Sequence, residues 1–217
     1  MYLGTNHLDF PEERVQSIKI GNDRDYSSNL QGMLGRIEQD WIILWLEDRF
    51  LSAPVDTGRL RGLIQHAQDN KAGYFKLIAN YPLAQVADLS LQIGEIPKGV
   101  RYRVSMTVAL WQKKVLSRIL RSGETVWDIE RKGSIRADEL DEKFYCIPSG
   151  KKDNPPIENI HGIVKGKWIR GAYHFLCREG LQNCMEKRPL ESIWSFLYGK
   201  AYTFRLSVYD KFGLYWR

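Results

Sequence analysis

Two successive acids, Glu47 and Asp48, close a run of six apolar residues, Trp41 to Leu46. The run is rich in aromatic and β-branched side chains and too short for a helix. That pattern predicts a strand buried on both faces of a parallel sheet. In open α/β sheets, ligands bind in the crevice outside the carboxyl ends of the strands. Adjacent carboxylates there offer hard oxygen ligands to a divalent cation, and a cation suits a diphosphate leaving group. Acids also end buried strands where the chain simply re-enters water, and these two residues alone leave both readings open. A second acidic group, Glu124, Asp128 and Glu130, surrounds one large aromatic, Trp127, within seven positions. A third stretch, His161-Gly-Ile-Val-Lys165-Gly-Lys167-Trp168, is basic, spaced by glycine and ends in an aromatic.

The elements that must position these residues follow from periodicity. Residues 1–3 and 15–20 read as strands, the second alternating in polarity. Gly21-Asn22-Asp23-Arg24-Asp25 breaks the chain with turn-forming residues, and Ser27 or Ser28 can cap the next helix. Leu30, Met33, Leu34 and Ile37 form its apolar stripe. The loop 21–28 thus brings polar groups to a strand-to-helix junction, where a helix N-terminus can meet phosphate or a base. After the apolar run, Pro54 and Asp56-Thr57 open a second helix reaching Gln68, with Leu60, Leu63, Ile64 and Ala67 on one face and Arg59 and Arg61 on the solvated one. Residues 74–78 form the next strand, so strands alternate with helices, as parallel α/β neighbours do.

Residues 83–98 show no regular pattern. Residues 101–110 read as a strand with Val104, Met106 and Val108 on one face, ending at Trp111, and a helix over 112–120 follows. The loop 148–156, with Gly, Lys, Asp, Asn and a Pro pair, is the lid candidate. Residues 172–183 read as helical and 192–216 as unusually aromatic. There is no internal repeat, no low-complexity tract and no convincing domain boundary.

At 217 residues, one substantial α/β domain suffices. Apolar content of 43% and charged content of 27% are those of a globular protein, while 12% aromatic residues with seven Trp is high. No apolar run approaches the roughly 20 residues of a membrane helix, and the first residues lack the basic flank and apolar core of a signal peptide. Three cysteines, Cys146, Cys177 and Cys184, are odd in number and lack close metal-type spacing. They point to buried or free thiols in a reducing compartment, hence to the cytoplasm. The net charge of +6 and pI near 9.2 suit nucleic acid, anionic lipid or phosphorylated substrates alike.

Several short motifs occur in a fixed order: Leu46-Glu47-Asp48-Arg49-Phe50, Pro54-Val55-Asp56-Thr57, Ala109-Leu110-Trp111 with Leu116, Glu124 with Trp127-Asp128-Ile129-Glu130 and Gly133-Ser134, and Lys165-Gly166-Lys167-Trp168. Each is weak alone. Together they resemble a family of bacterial glycosyltransferases linked to capsular and surface polysaccharide, across residues 1 to about 170. The resemblance implies a GT-A-like nucleotide-diphospho-sugar transferase fold: a mixed, mostly parallel sheet with flanking helices. It also implies a chain that starts after the first strand-loop-helix unit of such domains. Residues 1–80 would form a partial nucleotide-sugar half, 81–170 the acceptor and catalytic half, and 171–217 an aromatic-basic extension.

The same resemblance assigns roles. Glu47 and Asp48 take the place of the acidic metal motif, where Glu47 departs from the usual Asp, and His161 is a candidate third ligand to a Mn or Mg ion. Glu130 is the candidate general base and Asp128 its alternate; on a regular helix the two lie about 200° apart, so only one can face the sugar. Trp127 and Trp111 are candidate acceptor contacts. Lys165 and Lys167 would neutralise diphosphate charge, and Asp23, Asp25 and Asn29 would carry the uridine-type contact. The implied activity is metal-dependent, inverting transfer from a nucleotide-sugar to a saccharide or lipid-linked acceptor at the inner face of the membrane. Against it stand a non-catalytic relative that binds a sugar nucleotide or saccharide, and a nucleic-acid-binding protein. The last is disfavoured because the basic residues are scattered and no groove-reading motif is present. The stretch 194–217 is either a membrane-surface contact or an aromatic element closing the domain.

Overall fold

The computed structural model describes residues 1–79, 85–88, 90, 92–148, 154–185, 187–197 and 201. Its first elements are β1 (Tyr2–Thr5), β2 (Gln16–Lys19), α1 (Tyr26–Leu34), β3 (Trp41–Leu44), β4 (Arg49–Leu51) and α2 (Thr57–Asp69). Then come β5 (Ala72–Ala79), β6 (Gln85–Asp88), β7 (Ile93–Glu95), β8 (Ala109–Gln112) and α3 (Lys113–Ile119). A helical stretch follows, made of α4 (Val126–Asp128), a π-helical turn (Ile129–Gly133) and α5 (Ser134–Asp138). The chain continues through β9 (Lys143–Ile147), β10 (Asn159–His161), β11 (Ile163–Val164), β12 (Lys167–Trp168) and α6 (Arg170–Arg178). Contacts divide it into two compact units, one of Met1–Trp45 and Arg61–Asn154, the other of Leu46–Leu60 and Pro155–Arg217.

The first unit is mixed α/β. Its main sheet has the strand order β3-β8-β5-β9-β7-β6, and β1 pairs with β2 in a separate parallel pair. In the main sheet β5 and β9 are parallel, whereas β3–β8, β8–β5, β9–β7 and β7–β6 are antiparallel. The expected mostly parallel sheet is therefore corrected to a mostly antiparallel one. Trp41 to Leu44 is also not its centre but an edge strand. Ile42 and Leu44 pack on the core while Ile43 is 38% exposed, the alternation of a strand with one buried face.

One register row explains the core. Ile42, Trp111, Tyr74 and Phe144 face one another across β3, β8, β5 and β9. Tyr74 lies 4.5 Å from Trp111 and 5.7 Å from Phe144 between ring centroids, spacing that adds directional aromatic contact to area burial. Leu30 and Leu34 of α1, Leu116 and Ile119 of α3, and Ile129 and Ala137 of the helical stretch cover this row. On the opposite face, Phe75 and Tyr145 meet at 5.9 Å and His66 of α2 packs edge-on to Tyr145. Among the described residues, no helix is long and apolar enough to cross a membrane.

Residues 101–108 are not a strand, although Val104, Met106 and Val108 are buried as their alternation predicts. Side chains take the amides a neighbouring strand would bond. Val104 N–H donates to Ser134 Oγ (3.1 Å), Ser105 N–H to Tyr74 Oη (3.3 Å) and Met106 N–H to Glu130 Oε1 (2.9 Å).

The second unit has its own small core, in which Trp168, Leu176 and Met185 pack with Phe50, Tyr173 and Leu190. The Trp168 indole N–H donates to Met185 O (3.2 Å). β4 pairs antiparallel with β10, setting His161 opposite Arg49, and β11 pairs with β12.

Candidate functional site

The acidic pair does not leave a strand for a crevice. Arg49 N–H donates to Leu46 O (3.1 Å), so Glu47 and Asp48 are the two corner residues of a tight turn in the second unit. Glu47 is exposed there. Asp48 is half-buried and is fixed from both ends. Gly162 N–H donates to its carbonyl (2.6 Å), and His161 Nε2 lies 2.8 Å from its Oδ2. Register causes the meeting, because pairing His161 with Arg49 brings their outer neighbours, Gly162 and Asp48, alongside. Gly162 is required at that point: a Cβ on it would collide with Phe50 Cε2 and lie 3.0 Å from Asp48 O.

Asp48 Oδ1 is buried and has no hydrogen-bond partner among the described residues, the kind of orphaned oxygen a cation would satisfy. The 2.8 Å contact between His161 Nε2 and Asp48 Oδ2 is itself a hydrogen bond, so a cation held by both would have to take the place of the shared proton. Glu47 is the member of the expected triad that does not join. Among the described residues no three of His, Cys, Asp and Glu form a group that could hold a metal ion. Asp48 and His161 are therefore two potential ligands and not a complete set.

Lys165 and Gly166, both at positive φ, form the two-residue turn between β11 and β12, the backbone that such hairpins demand. The glycine spacing of this basic stretch is thus the signature of a turn, and Lys165 and Lys167 are exposed on it.

In the first unit the three acids around Trp127 have separate duties. Glu124 is buried and takes both guanidinium nitrogens of Arg136, at 3.0 and 2.5 Å. Asp128 closes a capping box with Thr125: each side chain bonds the other residue's backbone N–H. Its bond with the Thr125 hydroxyl, and next the Lys132 ammonium, hold its carboxyl at about 2. Such a weak proton acceptor is corrected from alternate base to helix cap. Glu130 lies in the π-helical turn, a feature often found at functional sites. Its Oε1 accepts from Ser105 Oγ (2.7 Å) and Met106 N–H, while Oε2 takes no hydrogen bond from the described residues. Trp127 is 71% exposed.

A comparison with protein-family models, curated proteins and solved structures finds no match.

Two further groups are also corrected or explained by packing. Trp111 is fully buried at the middle of the aromatic row, so it cannot touch an acceptor. Asp25, not Ser27 or Ser28, caps α1 by accepting from Ser28 N–H (2.8 Å), and that bond lowers its pKa. Asn29 donates to Asp23 and accepts from Arg24 N–H, so the loop satisfies its own polar groups. The lid candidate lies largely outside the described residues, as does most of the aromatic tail.

Proposed function

We propose that the chain is a metal-dependent glycosyltransferase of GT-A type, moving a sugar from a nucleotide-sugar to a saccharide acceptor with inversion in surface-polysaccharide synthesis. One observation carries the reading: the acidic motif at 47–48 delivers one carboxylate, Asp48, against His161 with a buried oxygen left over. Asp48 and His161 would hold the ion, and the mixed nitrogen and oxygen set suits Mn more than Mg. The ion, when bound, would neutralise charge on the diphosphate. Within the first unit, Glu130 serves as base in preference to Asp128, since its Oε2 takes no hydrogen bond from the described residues and Asp128 is a cap; the exposed Trp127, three residues earlier, is the sugar platform.

A second reading, a non-catalytic saccharide or sugar-nucleotide binder, is favoured by one fact. Glu130 Oε1 already holds a loop in place. Calorimetric titration of UDP with and without Mn²⁺ tests the first reading on wild type, Asp48→Asn and His161→Ala. Manganese-dependent binding lost in both variants supports it. Binding equal in all three proteins, or indifferent to the ion, overturns the metal assignment. Binding with no sugar transfer from any UDP-sugar leaves the non-catalytic reading.

A further inference from the structure

Two open hollows adjoin on the first unit, with volumes of about 630 and 460 Å³, and share Trp41, Gln112 and Lys114. Trp41 and Gln112 are register partners at the end of the β3–β8 pair, so an aromatic and a carboxamide stand side by side on one face of the sheet. Trp41 is half-buried, and its indole N–H meets no acceptor among the described residues. No sequence motif drew attention to it, because it reads as the first apolar residue of a strand.

The linings restrict the ligand. The first hollow adds Gln31, and the second adds Gln68 and Asn70, so with Gln112 four carboxamides line the two hollows; Gln31 and Asn70 also donate to Leu120 O (3.4 Å) and His66 O (2.9 Å). A carboxamide both donates and accepts, as a sugar hydroxyl does, and an indole offers a flat apolar face with one donor at its edge. Charges of both signs line the hollows: Asp40 stands against Lys113 and Lys114 in the first, and Asp141 and Glu142 against Lys71, Lys114 and Lys143 in the second, with Glu142 also paired with Arg118 (3.2 Å). Lys113 and Lys143 are further engaged with Ile37 O (2.5 Å) and Glu95 (3.7 Å). The linings set apolar surface beside carboxamides and charges of both signs, a mixture that suits a ligand with both apolar faces and hydroxyls.

We propose that this groove binds a neutral oligosaccharide, with one ring on Trp41 and neighbouring rings in the two hollows. The proposal needs neither a nucleotide-sugar nor a cation, so it stands whether or not the chain transfers sugar. The test is calorimetric titration and saturation-transfer NMR with maltohexaose, cellohexaose, laminarihexaose and chitohexaose, without metal or nucleotide. At least one is expected to bind, at least tenfold more weakly to Trp41→Ala and several-fold more weakly to Gln112→Ala, with Trp41→Phe close to wild type. Gln112→Ala keeps the test valid if Trp41→Ala does not fold. The proposal is overturned if none of the four binds at about 10 mM, a threshold weaker than about 3 kcal/mol. Equal binding by wild type and Gln112→Ala, or tighter salt-sensitive binding of heparin that Lys114→Ala abolishes, also overturns it. Because these titrations contain neither metal nor nucleotide, failure here is read separately from failure of the metal site.

Discussion

Replacing Glu130 separates a carboxylate that builds the fold from one that only does chemistry. Met106 is fully buried, and its N–H has Glu130 Oε1 as acceptor at 2.9 Å. In Glu130→Ala that donor is stranded, at about 1–3 kcal/mol. The Ser105 hydroxyl loses less, since Thr107 Oγ1 stands 3.1 Å away as an alternative partner. The total is about 2–3 kcal/mol, or a Tm about 4–12 °C lower for a chain of this size. Glu130→Gln keeps a side-chain oxygen for both donors and loses only the charge assistance, about 1 kcal/mol. Thermal and urea unfolding followed by circular dichroism measure both variants. An alanine variant within about 0.5 kcal/mol of wild type, or a glutamine variant as unstable as alanine, refutes the reasoning. If a donor is found, a stable but inactive Glu130→Gln identifies the base.

Gly162→Ala forces a methyl against Phe50 and the Asp48 carbonyl, and overpacking of that kind costs about 1–3 kcal/mol; an unchanged unfolding midpoint would contradict it. Asp128 has a folded pKa of about 2, below the ordinary value of about 3.9. Its contribution is therefore complete above about pH 4 and fades as pH falls towards 2. The stability gap between wild type and Asp128→Asn should be constant from about pH 5 to 8 and shrink below about pH 4, and a gap that persists at about pH 2 refutes the assignment. Burial pushes the Cys146 thiol up to about 12, whereas Cys177 is exposed. Iodoacetamide at about pH 8 should label Cys177 in the native protein and Cys146 only after unfolding, as read by peptide mass; native labelling of Cys146 would be the contrary result.

Elements with strong local periodicity were legible in the sequence. The helices α1, α2 and α3 and the strand β2 form where they are expected, except that α1 stops at Leu34 and leaves Ile37, the last residue of its expected stripe, beyond the helix. Nothing local marks β9 as a central strand, although Phe144-Tyr-Cys-Ile147 is the same kind of apolar run as the one at 41–46. Whether such a run is central or at an edge depends on strands far away in sequence, and so β3 was misplaced. Val104, Met106 and Val108 were rightly read as buried, but their irregular backbone was not, because its hydrogen-bond partners are distant side chains. At the site, Thr125-x-x-Asp128 already spells a helix cap. The meeting of Asp48 with His161 joins residues 113 positions apart, and register alone produces it.

The three consecutive amides of Val104, Ser105 and Met106 also bear on how the chain folds. Their acceptors lie 24 to 31 residues away, Tyr74 on the N-terminal side and Glu130 and Ser134 on the C-terminal side. No local turn can order this segment first; two loop closures from opposite directions must precede it, and such closures are entropically costly. In pulse-labelled hydrogen exchange these amides should therefore gain protection after β5 and the 126–138 helical stretch have docked, making the segment a reporter of the last step in building the sheet's core.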